Sequence, residues 1–134
     1  MIVVDSSAWV ELLRASGSPV HRRLRRAIDD GEALAVTEVV VAEVLAGVLD
    51  DLRGRRIRTF LLGFPLLRLR GLHDFEAAAD LRRACSRAGE TVRGIADCLV
   101  AVPAIGAGIP VLHRDRDFDV LARHTPLEVV SLDE

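Results

Sequence analysis

Short apolar runs alternate along this chain with longer segments of helical periodicity, and this alternation is what most restricts its fold. The pattern predicts strands at residues 2–4, 34–36, 66–69 and 111–112, and residues 128–130 would add a fifth. The segments between these runs are long enough for the crossover helices that parallel strands require. We therefore predict an α/β sandwich in which helices flank a mainly parallel central sheet of four to five short strands.

Helices are predicted at residues 6–13, 20–28, 38–49, 51–62, 73–88 and 93–105. Ser6 or Ser7 can cap the first helix and Thr37 the third. The β-branched start of segment 38–49 is also compatible with a strand, but its length and spacing favour a helix. Because no linker, repeat or low-complexity tract divides the chain, we predict one domain over residues 1–134.

The composition excludes several classes of protein. The 18 basic and 20 acidic residues nearly cancel, so binding of nucleic acid would have to be local rather than driven by net charge. Cys85 and Cys98 have neither metal-ligand nor disulfide spacing, which is typical of buried thiols in a reducing cytoplasm. The carboxylate of Asp5, so close to the start of the sequence, argues against a signal peptide. The apolar stretch after Asp97 is interrupted too often by Gly and Pro to form a membrane-spanning helix. We expect a cytoplasmic protein.

Three carboxylates stand alone in apolar runs: Asp5, Glu43 and Asp97. Burial of an unpaired carboxylate costs several kcal/mol, roughly, so each requires a partner. Asp115 and Asp117 follow the strand predicted at 111–112, and ligands of open α/β sheets bind beyond the carboxyl ends of strands. If these acids converge, a shared cation is the natural partner, and an oxygen-only ligand set suits Mg²⁺ or Mn²⁺.

Each acid also has an ordinary structural explanation. Asp5 could cap the first helix, and Glu43 could be an edge acid or an ion-pair partner. Asp97 could cap a helix that begins later, or pair with Arg93 four residues earlier. The two acids after the fourth strand could be solvated loop residues. The joint pattern, rather than any single acid, favours one metal site.

Four segments together identify a family. The sequences "VVDSSAWVELL", "TEVVVAEVLAG", "GETVRGIADCLVA" and "VLHRDRDFDVLA" occur in an order and spacing that resemble the PIN-domain ribonucleases, and within them the VapC toxins of bacterial toxin–antitoxin pairs. The resemblance covers nearly the whole chain. It implies a metal-dependent endoribonuclease that cleaves structured RNA such as tRNA or rRNA and so inhibits translation. It also implies a homodimer, a cognate VapB antitoxin whose tail blocks the pocket, and operator DNA bound only through that antitoxin.

The resemblance also assigns roles to residues at matching positions. An acidic pocket that holds Mg²⁺ or Mn²⁺ would consist of Asp5, Glu43, Asp97 and Asp115, with Asp117 as an additional or water-mediated ligand. A hydroxyl of Ser6 or Ser7 would hydrogen-bond an acid or a phosphate oxygen. The RNA backbone would be contacted by Arg93, Arg114 and Arg116.

Two residues depart from the family pattern. Pro103 stands inside the helix predicted to carry Asp97, and its missing amide should kink the helix at the turn of Leu99 while leaving the Asp97 turn intact. His113 precedes the fourth acid where many relatives have Thr or Asn. We interpret His113 as a bystander rather than a supporting residue or a base, because a metal-bound water needs no histidine base.

Two other functions fit parts of the pattern. A PIN-like binding module could keep the acids and act only by partner docking or by antitoxin-linked regulation of transcription, without nuclease activity. A phosphotransfer receiver also places acids and Mg²⁺ in a parallel α/β fold, but it would need a late Lys, and this chain contains none. Replacement of Asp5 or Asp97 by Asn distinguishes an enzyme from a binding module.

Overall fold

The computed structural model describes residues 1–132. Strands β1 (Ile2–Val4), β2 (Leu34–Thr37), β3 (Leu66–Leu67) and β4 (Val111–Leu112) form one sheet in the order β3-β2-β1-β4. All three pairings are parallel, so the predicted α/β sandwich is confirmed. The predicted domain runs two residues further, and residues 133 and 134 lie outside the described part.

Two of the predicted strands are shorter in the structure than the sequence indicated. Residues 128–130 form only a single bridge, between Val129 and Val111, instead of a fifth strand. Strand β3 stops at Leu67 because side chains take the next backbone donors. The amide of Leu69 donates to Glu38 Oε1 at 2.6 Å, and the amide of Arg70 donates to Asp74 Oδ2 at 2.7 Å.

The helices are α1 (Ser6–Leu13), α2 (Pro19–Asp29), α3 (Glu38–Ala46), α4 (Asp51–Leu61), α5 (Leu72–Arg87), α6 (Ile95–Ala107) and α7 (Arg116–His124). Segment 38–49 is helical as predicted, but the helix ends three residues early, at Ala46, and Gly47 caps it. Helix α6 starts two residues later than predicted and continues through Pro103 to Ala107. Asp97 lies in its first turn, six residues before Pro103.

Helix α7 was not predicted from the sequence. Its segment, "RDFDVLARH", mixes charged and apolar residues, with Phe118 and Leu121 three positions apart, so it carries a helical signal that our interpretation of the sequence did not use. Phe118, Val120 and Leu121 are fully buried, and α7 packs on α5 and α6. Tertiary burial of these three side chains therefore stabilises the helix.

Asp5, rather than Ser6 or Ser7, is the cap of α1. It has extended backbone angles, and its side chain accepts a hydrogen bond from the amide of Ser7. Thr37 caps α3 as predicted by accepting from the amide of Val40 at 3.2 Å. The capping function considered for Asp5 is thus real, and it leaves one carboxylate oxygen of Asp5 available for another partner.

The core lies on both sides of the sheet. Every residue of β1 and β2 is buried, as expected for parallel strands covered by helices on both faces. On one side, Trp9 is fully buried with its ring 5.6 Å from Phe60 and 5.4 Å from Phe64.

Cys85 and Cys98 are buried free thiols. Within residues 1–132, no helix combines the length and the apolar character needed to cross a bilayer.

Replacement of Trp9 by Ala should lower the free energy of unfolding by about 3–5 kcal/mol, because the cavity opens beneath two aromatic rings. Urea denaturation followed by circular dichroism measures the change. Leu49→Ala is the control, since Leu49 is 96% exposed and its truncation should change stability by no more than about 0.5 kcal/mol. Equal effects of the two substitutions would contradict this account of the core.

Candidate metal centre

Neighbouring parallel strands place two acids at the same edge of the sheet. Asp5 directly follows β1, and Asp115 follows the adjacent strand β4 by three residues. The amide of Asp5 donates to the carbonyl of Leu112 at 3.0 Å, which fixes the ends of these strands side by side. The first turn of α6 brings Asp97 to this edge, and the first turn of α7 brings Asp117.

The carboxylates of Asp97, Asp115 and Asp117 form a cluster in which one oxygen from each lies within 4.8 Å of the others. Burial raises the pKa of Asp97 to about 8, with further increases from the charges of Asp5 and Asp115 and from a hydrogen bond with Asp115. The pKa of Asp5 is also raised, first by burial, although hydrogen bonds from Ser7 oppose the shift. The cluster therefore concentrates the negative charge of several carboxylates, which Arg93, at ion-pair distance from Asp115 and Asp117, offsets only in part.

Two buried oxygens at this edge have no hydrogen-bond donor among the described residues: Asp5 Oδ1 and Asp117 Oδ1. Asp117 Oδ1 lies 3.6 Å from Arg93 Nε, which is an ion-pair distance without a hydrogen bond. The other oxygen of each side chain is satisfied. Asp5 Oδ2 accepts from the amide and hydroxyl of Ser7 at 3.0 and 2.6 Å, and Asp117 Oδ2 accepts from the amide of Arg93 at 3.1 Å. Unsatisfied buried carboxylate oxygens are costly unless they bind a cation, and an all-oxygen set suits Mg²⁺ or Mn²⁺. The residues present therefore fit the ion that the family implies.

Glu43 lies at the rim of this cluster. Its side chain is exposed rather than buried in its apolar run, and Glu43 Oε1 accepts a hydrogen bond from the hydroxyl of Ser6 at 3.0 Å. Its charge contributes to the raised pKa of Asp5, so the two carboxylates are electrostatic neighbours. Both Ser6 and Ser7 thus bind acids of the pocket, one at the rim and one inside.

The three arginines predicted to contact RNA differ in their surroundings. Arg93 is 67% exposed and lies 3.7 Å from Asp115 and 3.6 Å from Asp117, so it pairs with these acids and not with Asp97. Arg114 forms an ion pair with Glu11. Arg116 is exposed and makes no ion pair within residues 1–132. Only Arg93 and Arg116 therefore present guanidinium groups without a close, hydrogen-bonded acid.

The structure changes the interpretation of His113 and adds Glu11 to the residues around the cluster. His113 is not a bystander, because its Nδ1 accepts from the amide of Asp115 at 3.0 Å and its ring lies 5.1 Å from that of Phe118. Glu11, which we did not single out, is a buried acid that binds Arg114. Its position four residues after Ser7 in α1, on the same helix face, was an available signal.

A model of the PIN domain matches residues 2–124 of this chain. The chain belongs to the PIN-domain family. Ribonuclease VapC11 of Mycobacterium tuberculosis strain H37Rv is 46% identical over 132 residues, which span 98% of each protein. The recognition of a VapC-type PIN-domain protein is therefore confirmed at the level of sequence.

Solved structures show the same fold. VapBC2 from Rickettsia felis, bound to a DNA fragment from its promoter, has a TM-score of 0.73 at 16% identity and covers 97% of this chain and 98% of its own. VapBC-5 from M. tuberculosis, a member of the VapBC family of toxin-antitoxin systems, has a TM-score of 0.66 at 21% identity, covering 96% and 95%. At these identities the likeness establishes the PIN architecture.

In the absence of divalent cations, the stability that the protonated carboxyl group of Asp97 contributes should be lost as the pH rises from about 4 to about 8, so the wild type should become less stable relative to Asp97→Asn over this range. The pKa of Asp97 rises from its ordinary 3.8 to about 8 on folding, so the folded state binds more protons than the unfolded state in this range. Asp97→Asn cannot ionise and should be the more stable protein at pH 8. Urea denaturation in EDTA at several pH values measures both trends.

Asp80→Asn is the matched control for that experiment. Asp80 is an exposed acid whose side chain is 73% accessible and pairs only with Arg83 among the described residues. Its replacement should leave the pH dependence as in the wild type. A wild-type curve that Asp97→Asn reproduces at every pH would refute the electrostatic description of the cluster.

Proposed function

We propose that this chain is a Mg²⁺- or Mn²⁺-dependent endoribonuclease toxin of VapC type, acting on structured RNA such as tRNA or rRNA. The observation that carries the proposal is the convergence of buried carboxylates with two unsatisfied oxygens, Asp5 Oδ1 and Asp117 Oδ1, at one edge of a PIN fold. The 46% identity to a protein named as a ribonuclease supports the same activity.

The proposed ligands are Asp5, Asp97, Asp115 and Asp117, with Glu43 at the rim. A divalent cation held there supplies a more acidic water and neutralises charge that develops on a phosphate. Asp97 would act as a ligand only in its ionised form, so it would have to lose the proton that its raised pKa retains before it could hold the cation. Arg93 and Arg116 border the cluster from the exposed side, where they can bind backbone phosphates. The hydroxyls of Ser6 and Ser7 orient Glu43 and Asp5 for this arrangement.

We further propose a cognate VapB-type antitoxin, with operator DNA bound only through it, a homodimer and a cytoplasmic location. The R. felis VapBC2 structure, bound to promoter DNA, supports the first two assignments by analogy. This chain also has an open groove of about 400 Å³ that includes Glu43 and combines apolar walls with the charged residues Arg14, Asp50 and Arg53, and we propose it as the place where a segment of the antitoxin binds. Glu43 lies at that groove, and its apolar walls include Val10, Leu13, Val44, Val48 and Ile57.

Asp5→Asn and Asp97→Asn should reduce RNA cleavage by purified protein by a factor on the order of 100 or more, because each removes a charged ligand. Removal of divalent ions with EDTA should abolish cleavage by the wild type, and added Mn²⁺ should restore it. Gel analysis of total RNA measures cleavage, with Asp80→Asn as the fully active control. Undiminished cleavage by Asp97→Asn, with the fold intact by circular dichroism, would exclude this mechanism.

Induced expression in a bacterial host should arrest growth and produce new RNA ends at few positions in tRNA or rRNA. Asp97→Asn should do neither, and co-expression of the product of a neighbouring antitoxin gene should protect the cells. Sequencing of RNA 5′ ends after induction locates the cuts. Growth arrest by Asp97→Asn without new ends would instead identify a binding module that acts without nuclease activity.

A further inference from the structure

Arg114 stands in the loop between β4 and α7, immediately before the proposed ligand Asp115. Its side chain is 57% exposed, yet its guanidinium is bound by the carboxylate of Glu11, which is only 11% exposed. Glu11 belongs to α1, which follows β1 and Asp5 in the chain. The contact therefore joins the helix that follows Asp5 to the loop that carries Asp115.

Glu11 is itself held in place. The hydroxyl of Ser16 donates to Glu11 Oε1 at 2.9 Å, and the backbone amide of Ser16 donates to the carbonyl of Glu11 at 3.2 Å. Hydrogen bonds from Ser18 and Ser16, together with Arg114, hold the pKa of Glu11 below its usual range, so it is ionised at neutral pH. A fixed, charged and largely buried acceptor is a rigid anchor for a guanidinium.

The backbone of Arg114 makes a second link to the same helix. Its amide donates to Ser7 Oγ at 2.9 Å, and Ser7 Oγ donates to Asp5 Oδ2 at 2.6 Å. Arg114 thus connects to α1 twice, through its side chain at Glu11 and through its amide at Ser7. One turn of helix separates these two contacts, so displacement of the loop would disturb both Asp5 and Asp115.

We propose that Glu11 and Arg114 are positioning residues that lock the Asp115 loop against α1 and thereby set the spacing of the acids, and that Arg114 is not an RNA contact. This inference rests on the proposed function, in that the spacing serves a divalent cation. It reassigns an arginine that the family resemblance alone placed on the RNA backbone. Arg116, two residues later at the start of α7 and without an acidic partner within residues 1–132, remains a candidate for phosphate contact.

The experiment is a double-mutant cycle of Glu11→Gln, Arg114→Met and the combined variant, with Mn²⁺ alone as the probe in isothermal titration calorimetry. Loss of positioning should weaken Mn²⁺ affinity about 10-fold or more in each single variant, and the combined variant should be no worse. Coulomb effects alone predict a different pattern. Glu11→Gln would weaken cation binding, Arg114→Met would strengthen it, and in the combined variant the two effects would cancel, so that its affinity equals that of the wild type. Effects of opposite sign would therefore overturn the proposal.

Amide hydrogen exchange measured by NMR gives a second readout that requires no metal. Both single variants should increase exchange at Arg114, Asp115 and Asp117, which mark the loop and the start of α7. The exposed ion pair of Arg25 and Asp29 is the matched control, and Arg25→Met or Asp29→Asn should change neither exchange there nor Mn²⁺ affinity. Unchanged exchange in Glu11→Gln would contradict the proposal.

If Glu11→Gln does not fold, Glu11→Asp replaces it in both experiments, because this substitution keeps the negative charge but shortens the side chain that reaches Arg114.

Cleavage kinetics separate the two roles of Arg114. As a positioning residue, its replacement by Met should lower kcat with little change in KM. A raised KM with unchanged Mn²⁺ affinity and unchanged exchange would establish Arg114 as an RNA contact and refute our assignment. If the wild type itself binds no Mn²⁺, the proposed function fails, and the exchange measurements alone then decide whether the pair holds the loop.

Discussion

The mutual repulsion of buried carboxylates is the constraint on which the rest of this structure depends. Asp97 and Asp117 are nearly inaccessible to water, and the charges of neighbouring acids add to the cost of ionising Asp97. Bringing buried carboxylates together does not increase the free energy of unfolding, because each charge makes the ionisation of its neighbours less favourable. The arrangement persists because the surrounding elements are stable enough to impose it, which is the usual relation between a functional site and its scaffold.

The scaffold imposes the cluster by holding the ends of strands and the starts of helices together. Strands β1 and β4 are parallel neighbours, so the residues that follow them emerge at the same edge. The first turns of α6 and α7 then bring Asp97 and Asp117 to that edge. Side chains and amides of neighbouring elements fix the individual groups: Ser7 holds Asp5, His113 holds the amide of Asp115, and the amide of Arg93 holds Asp117. Ligand spacing is therefore a property of several elements together.

Sequence reasoning was most successful where a residue conflicts with its neighbours. Asp5 and Asp97 stand alone in apolar runs, and both prove to be buried at the predicted edge. Glu43 shows the same pattern but is exposed, because a helix can turn one residue of an apolar run towards solvent. Helix α7 was not predicted although Phe118 and Leu121 stand at helical spacing in its sequence, and in the structure both side chains are buried.

The sequence by itself determined the parallel α/β architecture and the family, and it pointed to acids that meet at one edge of the sheet. Periodicity indicates the architecture, and a lone carboxylate in an apolar run is conspicuous because its burial costs several kcal/mol, roughly. Only the tertiary structure decided which oxygens are unsatisfied and which arginine is engaged. The pair of Glu11 and Arg114 joins residues 103 positions apart in the chain. The local sequence places a carboxylate on the Ser7 face of α1 and an arginine beside Asp115, but only the packing of α1 against the loop after β4 decides that these two side chains meet.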